Sequence, residues 1–422
     1  MQVLSVASEC APLVKTGGLA DVVGALPAAL AGHGVRMRTL LPGYPAVMAA
    51  LLDTAEVGRF DDLFGGAARL LQGQAAGLDL LVIDAPHLFA RSGGPYLAPD
   101  GRDWPDNPER FAALSWVGAH VAAHGAGGWR PQVLHGHDWQ AGFATEYLRQ
   151  MGAHDVRTLL TIHNIAFTGS TDPWRLSSLR LDPGRFHSES YEFWGGISAL
   201  KAGLMGADAL TTVSPSYAEE LMTPEFGMGL DGVMRHRRDV LHGILNGIDE
   251  DAWNPATDPA ITPYSSPAGK IAAKAALQAE LGLPPAEGPL CVIVSRMSHQ
   301  KGLDLILEVL PTLLEQGGQL AVLGSGDPGL EQAFRHAAAD PNVAVRIGYD
   351  EGFSHRLIAG GDAILVPSRF EPCGLTQMYG LRYGTVPVVA LTGGLADTVI
   401  NASPAALAQG VATGIQFAPV TA

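Results

Sequence analysis

The hexapeptide Thr-Gly-Gly-Leu-Ala-Asp occurs twice in this chain, at residues 16–21 and again at residues 392–397. Each copy links an apolar, strand-like run to a helical pattern, which is typical of a tight strand-to-helix turn. Lys15 precedes the first copy and adds a fixed cation to backbone N–H groups and a helix N-terminus, an arrangement that favours a bound phosphate. A turn that binds nothing is the equal alternative for so short a motif. Two such turns near opposite ends of the chain predict two nucleotide-fold halves.

The length and composition predict a globular α/β protein with two domains. The chain has 422 residues, whereas a single hydrophobic core stops growing at around 250–300 residues. Hydrophobic residues make up 47% and charged residues 16% of the chain, with 52 glycines and 29 prolines. These values are typical of buried strands and helices joined by many tight turns.

The charge balance limits the possible partners. The net charge of −15 arises from 42 acidic against 27 basic residues, so nonspecific binding to nucleic acid or to an anionic membrane is disfavoured. A phosphate site must therefore use local cations. Three widely spaced cysteines predict reduced thiols in the cytoplasm. No secretory signal is recognised, and no apolar run reaches the about 18 residues that a membrane span needs.

Strand-like and helical patterns alternate along the first half. Such alternation predicts parallel strands with right-handed crossovers. Strands are predicted at 2–6, 37–41, 78–84, 133–135, 158–162 and 209–213, and helices at 21–31, 108–123, 142–150 and 197–205. The irregular stretch 172–194 is predicted to be an insertion at the mouth of this domain. Four closely spaced prolines follow Asn246-Gly-Ile-Asp249 and indicate a boundary, because proline stops helices and is excluded from central strands.

The second half shows the same alternation and predicts a second doubly wound sheet. Strands are predicted at 290–295, 320–323, 343–347, 363–367 and 386–390, and helices at 271–280, 303–316, 328–339, 352–359 and 375–383. The predicted organisation is a Rossmann-like N-terminal domain at 1–245, a linker at 246–269 and a Rossmann-like C-terminal domain at 270–422.

Polar residues follow the predicted strands of the first domain, at the edge where open α/β sheets bind ligands. His135, His137, Asp138 and Trp139 follow one strand, and His163 follows another. Imidazole and carboxylate groups suit zinc, but the neighbouring amide and indole side chains fit a sugar pocket as well. With no further Cys or His cluster to complete a metal site, the sugar pocket is favoured.

In the second domain, Arg296 and Lys301 bracket a predicted strand-to-helix loop. A guanidinium and an ammonium in such a loop suit contacts to two phosphates. Residues 374–376 open a helix whose N–H groups can bind the same anion, and Glu371 lies just before it. A surface charge and an ordinary helix cap are the alternatives. Taken together, these residues predict a nucleotide-diphosphate site with a carboxylate near the leaving group or the sugar.

The motifs in their order closely resemble those of one enzyme family. They are KTGGLADVVGALP, HGHDWQAG, TIHN, NGID with WNP, SRMSHQKG, FEPCGLTQMYGLRYGTVPVV and TGGLADTV. This set resembles the bacterial glycogen synthases and the related plant starch synthases over essentially the whole chain. The resemblance implies a GT-B fold, with two Rossmann-like doubly wound domains facing an interdomain cleft that holds the donor. It further implies a retaining transfer of glucose from ADP-glucose to the nonreducing end of an α-1,4-glucan, with no metal or cofactor.

The resemblance also implies roles for individual residues. The residues implied in catalysis are Glu371, His163, Lys301 and Arg296. Those implied in donor binding are Lys15, Gly18, Asp21, Asn246, Tyr349, Cys373, Gly374, Leu375 and Thr376, and those in the acceptor pocket are His137, Asp138 and Trp139. Lys15, Gly18, Arg296 and Lys301 would meet the diphosphate. Asp21, His163 and Asn246 would hold the glucosyl unit, and Tyr349 would face the adenine.

Two departures from the family pattern, Met297-Ser-His299 and Gly380-Leu381, touch none of these roles. Family members continue with further helices beyond the second hexapeptide, so the C-terminal closing helices are expected to be missing here. Two alternatives remain open: another retaining GT-B glucosyltransferase that uses UDP-glucose, and a catalytically weak glucan-binding form. A phosphorylase is disfavoured, because no lysine is marked for pyridoxal phosphate.

Overall fold

The computed structural model describes residues 1–422 and divides into two compact units. The first unit comprises Met1–Val213 and Ala218–Ile244, and the second comprises Ser214–Tyr217 and Leu245–Ala422. Each unit is an α/β structure built around its own largely parallel sheet. No helix of the chain is both long enough and apolar enough to cross a membrane.

The first unit is built on a nine-stranded sheet. The unit has twelve strands, nine of which form this sheet. The twelve are β1 (Gln2–Val6), β2 (Arg36–Pro42), β3 (Leu52–Phe60), β4 (Ala68–Ala75), β5 (Leu78–Asp84), β6 (Val133–His137), β7 (Arg157–Ile162), β8 (Ser170–Thr171), β9 (Glu192–Phe193), β10 (Gly196–Ser198), β11 (Ala209–Thr212) and β12 (Leu241–Gly243). The order is β12-β11-β7-β6-β1-β2-β5-β4-β3, and β8, β10 and β9 form a separate small sheet. The strands from β12 to β5 run parallel, whereas β4 pairs antiparallel with both of its neighbours, β5 and β3.

Helices cover this sheet and bury its apolar strands. They are α1 (Gly18–Ala31), α2 (Pro45–Ala50), α3 (Pro86–Phe89), α4 (Asn107–His124), α5 (Ala144–Gln150), α6 (Ala199–Gly206) and α8 (Asp231–His236), while α7 (Pro215–Glu220) has residues in both units. Strand β1 is nearly continuous in apolar, buried residues, as expected for a parallel strand with both faces covered. Strand β3 lies at the sheet edge and is largely exposed.

The second unit is built on a six-stranded parallel sheet in the order β15-β14-β13-β16-β17-β18. The elements are α9 (Pro267–Leu281), β13 (Leu290–Val294), α10 (Leu303–Glu315), β14 (Gln319–Gly324), α11 (Pro328–Ala337), β15 (Val343–Ile347), α12 (Glu351–Gly360), β16 (Ala363–Val366), α13 (Thr376–Tyr383), β17 (Val386–Ala390), α14 (Gly393–Thr398), α15 (Pro404–Gln409) and β18 (Ile415–Phe417). Val292 belongs to one core, and its neighbours Cys291 and Ile293 belong to another. Successive residues of β13 thus point to opposite, covered faces of the sheet.

The segment predicted as a linker, 246–269, packs into the second unit, and its last residues already belong to α9. Trp253 is buried and stacks between His355 and Tyr379, at 3.8 and 3.6 Å between ring centroids. Asp258 accepts hydrogen bonds from His355 Nδ1 at 2.7 Å and from the Tyr383 hydroxyl at 2.5 Å. The prolines prevent regular structure here, but they do not prevent the aromatic side chain from being buried.

Candidate functional site

The first hexapeptide lies at the carboxyl end of β1, where it opens helix α1. Gly17 is the N-cap, in extended conformation and without a side-chain cap, and Gly18 begins the 14-residue helix. The Lys15 Nζ lies 2.7 Å from the Asp21 carboxylate, and both side chains are 27% exposed. The predicted cation therefore stands beside a helix N-terminus, but it is paired with another residue predicted to bind the donor.

Two residues that the sequence did not single out fix this turn. The buried Glu9 carboxylate accepts hydrogen bonds from the Thr16 backbone N–H and, at 2.7 Å, from the Thr16 hydroxyl. The Tyr96 hydroxyl also donates to Glu9 and lies 2.8 Å from the Ser8 hydroxyl. Glu9 is seven residues away from Thr16 and Tyr96 is 87 residues away from Glu9, so no local spacing signals the cluster.

Three imidazoles are buried at the carboxyl ends of β6 and β7, which are neighbours in the sheet. His137 Nδ1 lies 3.0 Å from His163 Nε2, and His137 Nε2 lies 3.1 Å from the Ser5 hydroxyl. His135 Nε2 is 2.7 Å from the Thr161 hydroxyl.

Burial lowers the pKa of all three imidazoles: to about 4 for His135, to about 3 for His163, and well below the ordinary value for His137. They are therefore neutral near pH 7, and each can donate or accept a hydrogen bond without adding charge. No group of three or more His, Cys, Asp or Glu residues is arranged to hold a metal ion.

Asp138 links these two strand ends. It has a φ of 54°, and its Oδ1 accepts backbone N–H bonds from His163 at 2.6 Å and from Asn164 at 3.3 Å. Burial raises the pKa of Asp138 to about 7, although the two N–H bonds act in the opposite direction. Trp139 follows directly, with its ring in edge contact with Phe111 at 5.0 Å between centroids. The predicted acceptor residues His137, Asp138 and Trp139 thus lie on one sheet edge with His163.

In the second unit, the two predicted phosphate-binding cations differ in their surroundings. Arg296 follows β13 and is exposed; its carbonyl accepts a hydrogen bond from the Ser295 hydroxyl at 3.1 Å, but its guanidinium makes no hydrogen bond or ion pair. Lys301 lies in the same loop, and its Nζ is 2.5 Å from the Glu371 carboxylate. Glu371, which follows β16, is 5% exposed and also accepts a hydrogen bond from the Ser368 hydroxyl at 2.8 Å. Strands β13 and β16 pair in the sheet, which brings the two predicted catalytic residues into direct contact.

The residues after Glu371 form the start of α13. Gly374 has a φ of +72°, which favours glycine, and a Cβ there would lie 2.5 Å from Gln377 Oε1. Leu375 is the N-cap and Thr376 is the first helical residue. The helix thus begins one residue after the predicted start at 375. Cys373 is buried, and its pKa is raised to about 12 by desolvation, although a hydrogen bond from the Asn246 backbone lowers it in part. The structure thus brings Asn246 next to Cys373.

Tyr349 follows β15, and its ring is 67% exposed. Its position, two strands away from Arg296, is at the same carboxyl edge of the second sheet. The predicted residues of this unit therefore all lie at one sheet edge, together with the Arg369–Asp304 ion pair (2.6 Å), which the sequence did not indicate.

Two families match this chain. The family described as Starch synthase catalytic domain matches residues 2–236, and Glycosyl transferases group 1 matches residues 288–416. Curated glycogen synthases are similar over the full 422 residues: the one from Jannaschia sp. (strain CCS1) is 67% identical and the one from Paracoccus denitrificans (strain Pd 1222) 66%. In each case the alignment covers 100% of this chain and 89% of the relative.

Solved structures agree with this result. The catalytic domain of starch synthase IV from Arabidopsis thaliana, bound to ADP and acarbose, has a TM-score of 0.89 at 31% identity, covering 99% of this chain and 88% of that chain. A sucrose-phosphate synthase from Thermosynechococcus elongatus has a TM-score of 0.56 at 18% identity, covering 94% and 83%, which shows the shared fold alone. The chain therefore belongs to the bacterial glycogen synthases of the starch synthase family, glycosyltransferases with the GT-B fold of two Rossmann-like α/β domains.

Proposed function

We propose that this chain transfers glucose from ADP-glucose to the nonreducing end of an α-1,4-glucan, with retention at the anomeric carbon. The observation that carries the proposal is its similarity to curated glycogen synthases over its whole length, at 66–67% identity. The ADP in the similar starch synthase structure supports the choice of nucleotide. The proposed setting is the cytoplasm, and the proposed partners are the donor and the glucan alone.

Arg296 and Lys301 are proposed to bind the donor diphosphate. Arg296 is exposed and has no acidic partner, so its guanidinium is available to a ligand. Lys301 is held by Glu371 at 2.5 Å, and a diphosphate would offer it a second, more highly charged partner. Lys15 and Gly18 of the first unit, with Asp21 as the partner of Lys15, are proposed as donor-binding residues.

The proposed chemistry separates a diphosphate from a sugar that acquires positive charge at its anomeric carbon. Fixed cations stabilise the leaving diphosphate because they are already in place before the reaction. They supply the charge that a metal would otherwise provide, so we propose that no metal or cofactor is required. The buried Glu371 carboxylate is proposed to be a catalytic residue that lines the pocket for the sugar and the phosphates.

The remaining site residues are proposed to bind sugars. A neutral His163 can exchange hydrogen bonds with glucosyl hydroxyl groups, and Asp138 fixes its backbone through the N–H bond at 2.6 Å. Asn246, Cys373, Gly374, Leu375 and Thr376 are proposed to line the donor pocket, and the exposed Tyr349 ring to face the adenine. His137 and Trp139 are proposed to lie on the acceptor side.

The test supplies purified protein with glycogen and either labelled ADP-glucose or labelled UDP-glucose, with and without EDTA. We expect incorporation from ADP-glucose, unchanged by EDTA, and release of the label by β-amylase, which requires an α-1,4 linkage at the chain end. Equal or faster incorporation from UDP-glucose would favour the alternative donor. Binding to glycogen without release of nucleotide would favour the glucan-binding alternative.

A further inference from the structure

Two of the most exposed large side chains in the molecule are tryptophans of one small sheet in the first unit. Trp194 is 84% exposed and Trp174 is 70% exposed, although tryptophan is on average among the most buried residue types. Both belong to the segment around β8, β9 and β10 and lie within 172–194, the stretch that the sequence predicts as an insertion at the mouth of this domain.

The backbone places the chain segments that carry the two tryptophans at the same end of this sheet. Thr171 of β8 pairs with Ile197 of β10 in antiparallel register, so the chain leaving β8 towards Trp174 runs alongside the chain that enters β10 from Trp194. The short helical turn that contains Trp174 contacts β10.

The exposed Trp194 ring has neighbours on one side. Trp194 and Gly195 form the two-residue connection between β9 and β10, with φ values of 52° and 80°. Asn or Asp is the usual residue at the first position of such a turn, so the turn itself does not call for tryptophan. A Cβ on Gly229 would lie 3.3 Å from the Trp194 Nε1, so this backbone supports one side of the ring, and the Phe193 ring lies 6.2 Å away between centroids.

The Trp174 ring is likewise supported on one side. The Arg175 guanidinium lies over it, 4.6 Å from the ring centroid, and the indole N–H donates to the Asp172 carboxylate at 3.2 Å. Glu192 of β9, which precedes the Trp194–Gly195 turn, accepts a hydrogen bond from the Gly195 N–H at 2.7 Å. The two exposed rings are thus bordered by carboxylates, whose remaining lone pairs can accept hydrogen bonds from hydroxyl groups.

This surface is contiguous with the candidate site. The chain leaves β7 at His163 and reaches β8 through Gly169, whose φ is +59°. A Cβ at Gly169 would lie 2.4 Å from the Trp139 ring, so the start of the small sheet packs directly on a residue proposed for the acceptor side.

We propose that Trp174 and Trp194 form a platform that binds an α-glucan chain outside the reacting centre. Sugar rings present C–H groups to the electron-rich face of an aromatic ring, and neighbouring carboxylates can bind their hydroxyls. An anionic ligand is disfavoured by Asp172 and Glu192. The proposal depends on the proposed function only for the identity of the polymer.

The platform is tested first by binding without turnover. The variants Trp194→Ala and Trp174→Ala are compared with Trp194→Phe and with Leu52→Ala, which removes an exposed apolar side chain elsewhere in the same unit. Affinity electrophoresis in gels containing glycogen measures the dissociation constant with no donor present. We expect binding about tenfold weaker for each alanine variant, the effect of losing one stacked ring. Wild-type binding by both alanine variants would overturn the proposal, whereas near-normal binding by the phenylalanine variant would support it.

Kinetics then separate the platform from the reacting centre. With glycogen as acceptor, we expect KM to rise about tenfold while kcat stays unchanged; with maltotriose, which is too short to span both regions, we expect no change. An equal loss with both acceptors would overturn the proposal, because it would place the rings at the reacting sugar. Loss of self-association in place of glycogen affinity, measured by sedimentation, would also overturn it. If the chain transfers no glucose, affinity electrophoresis still shows whether the two tryptophans bind glycogen. Failure of the proposed transferase activity is therefore distinguishable from failure of the proposed platform.

Discussion

Replacing Lys301 by alanine should affect stability and activity together, whereas replacing Arg296 should affect activity alone. Lys301 neutralises Glu371 at 2.5 Å, and its side chain is 18% exposed against 7% for Glu371. Without Lys301, the buried carboxylate keeps only the Ser368 hydroxyl as a neutral donor. Breaking a buried ion pair by removing one partner costs about 3–5 kcal/mol, and because Lys301 is not fully buried we expect about 3 kcal/mol.

Arg296 offers the matched comparison in the same loop. It is exposed and has no partner, so its replacement by alanine should change the free energy of unfolding by less than about 0.5 kcal/mol. Both variants should lose turnover by roughly a hundred- to thousandfold, the usual effect of deleting one group that stabilises charge in the transition state.

The assay combines urea unfolding with rates of ADP release from ADP-glucose. The double variant Lys301→Ala/Glu371→Gln is the control: without the unpaired charge it should recover most of the lost stability while remaining inactive. A Lys301→Ala protein that unfolds at the same urea concentration as Arg296→Ala would refute the argument from the ion pair. Near-normal turnover in either single variant would remove that residue from the proposed diphosphate site.

Three further predictions concern other residues of the site. Burial raises the folded-state pKa of Asp138 to about 7, so the contribution of this group to stability is complete below about pH 4 and is lost as the pH rises through about 7. Between pH 5 and pH 8, the free energy of unfolding of Asp138→Asn, measured with urea, should therefore increase by roughly 2–3 kcal/mol relative to that of the wild type. Gly169→Ala should destabilise the protein by about 2–4 kcal/mol, since its Cβ would lie 2.4 Å from the Trp139 ring at a φ of +59°. Gly195→Ala is the control: with a φ of +80° and open space around the Cβ, it should cost only about 1–2 kcal/mol. Equal losses of stability in the two variants would contradict the clash with Trp139. Cys373, buried and with its pKa raised to about 12, should resist iodoacetamide at pH 8 until the protein is unfolded, as measured by peptide mass spectrometry; rapid labelling of the folded protein would show that the thiol is accessible.

The sequence predicted the parallel strands well because both of their faces are buried. Strands β1, β5, β15 and β17 have the bounds read from the apolar runs. The β3–β4 hairpin was missed. β3 lies at the sheet edge, is exposed over most of its length, and pairs with register shifts, so it lacks the apolar pattern on which the reading depended.

The sequence predicted which sheet edges carry the candidate residues, but not the contacts among these residues. Residues after strand ends could be assigned to the sheet edge from the topology of α/β folds alone. The ion pair between Lys301 and Glu371 joins residues 70 positions apart. The bond between His137 and His163 depends on the register of β6 and β7. Such contacts arise from tertiary packing, so the sequence motif that contains one residue does not reveal which residue it contacts. Similarly, the prolines of 246–266 correctly indicated irregular backbone but gave no sign that Trp253 is buried.

The two copies of the hexapeptide make different contacts within their own units. In the first copy, nothing lies within 4 Å of where a Cβ on the first glycine, Gly17, would be, and the helix N-terminus lies next to Lys15. In the second copy the Gly394 N–H donates to the Glu371 carbonyl at 3.0 Å, and a Cβ there would lie 2.3 Å from the Cys373 backbone. The second copy supports a loop of its own unit. A genome search with the six letters alone would return both kinds of turn, whereas including the preceding residue, lysine in one copy and leucine in the other, would separate these two copies.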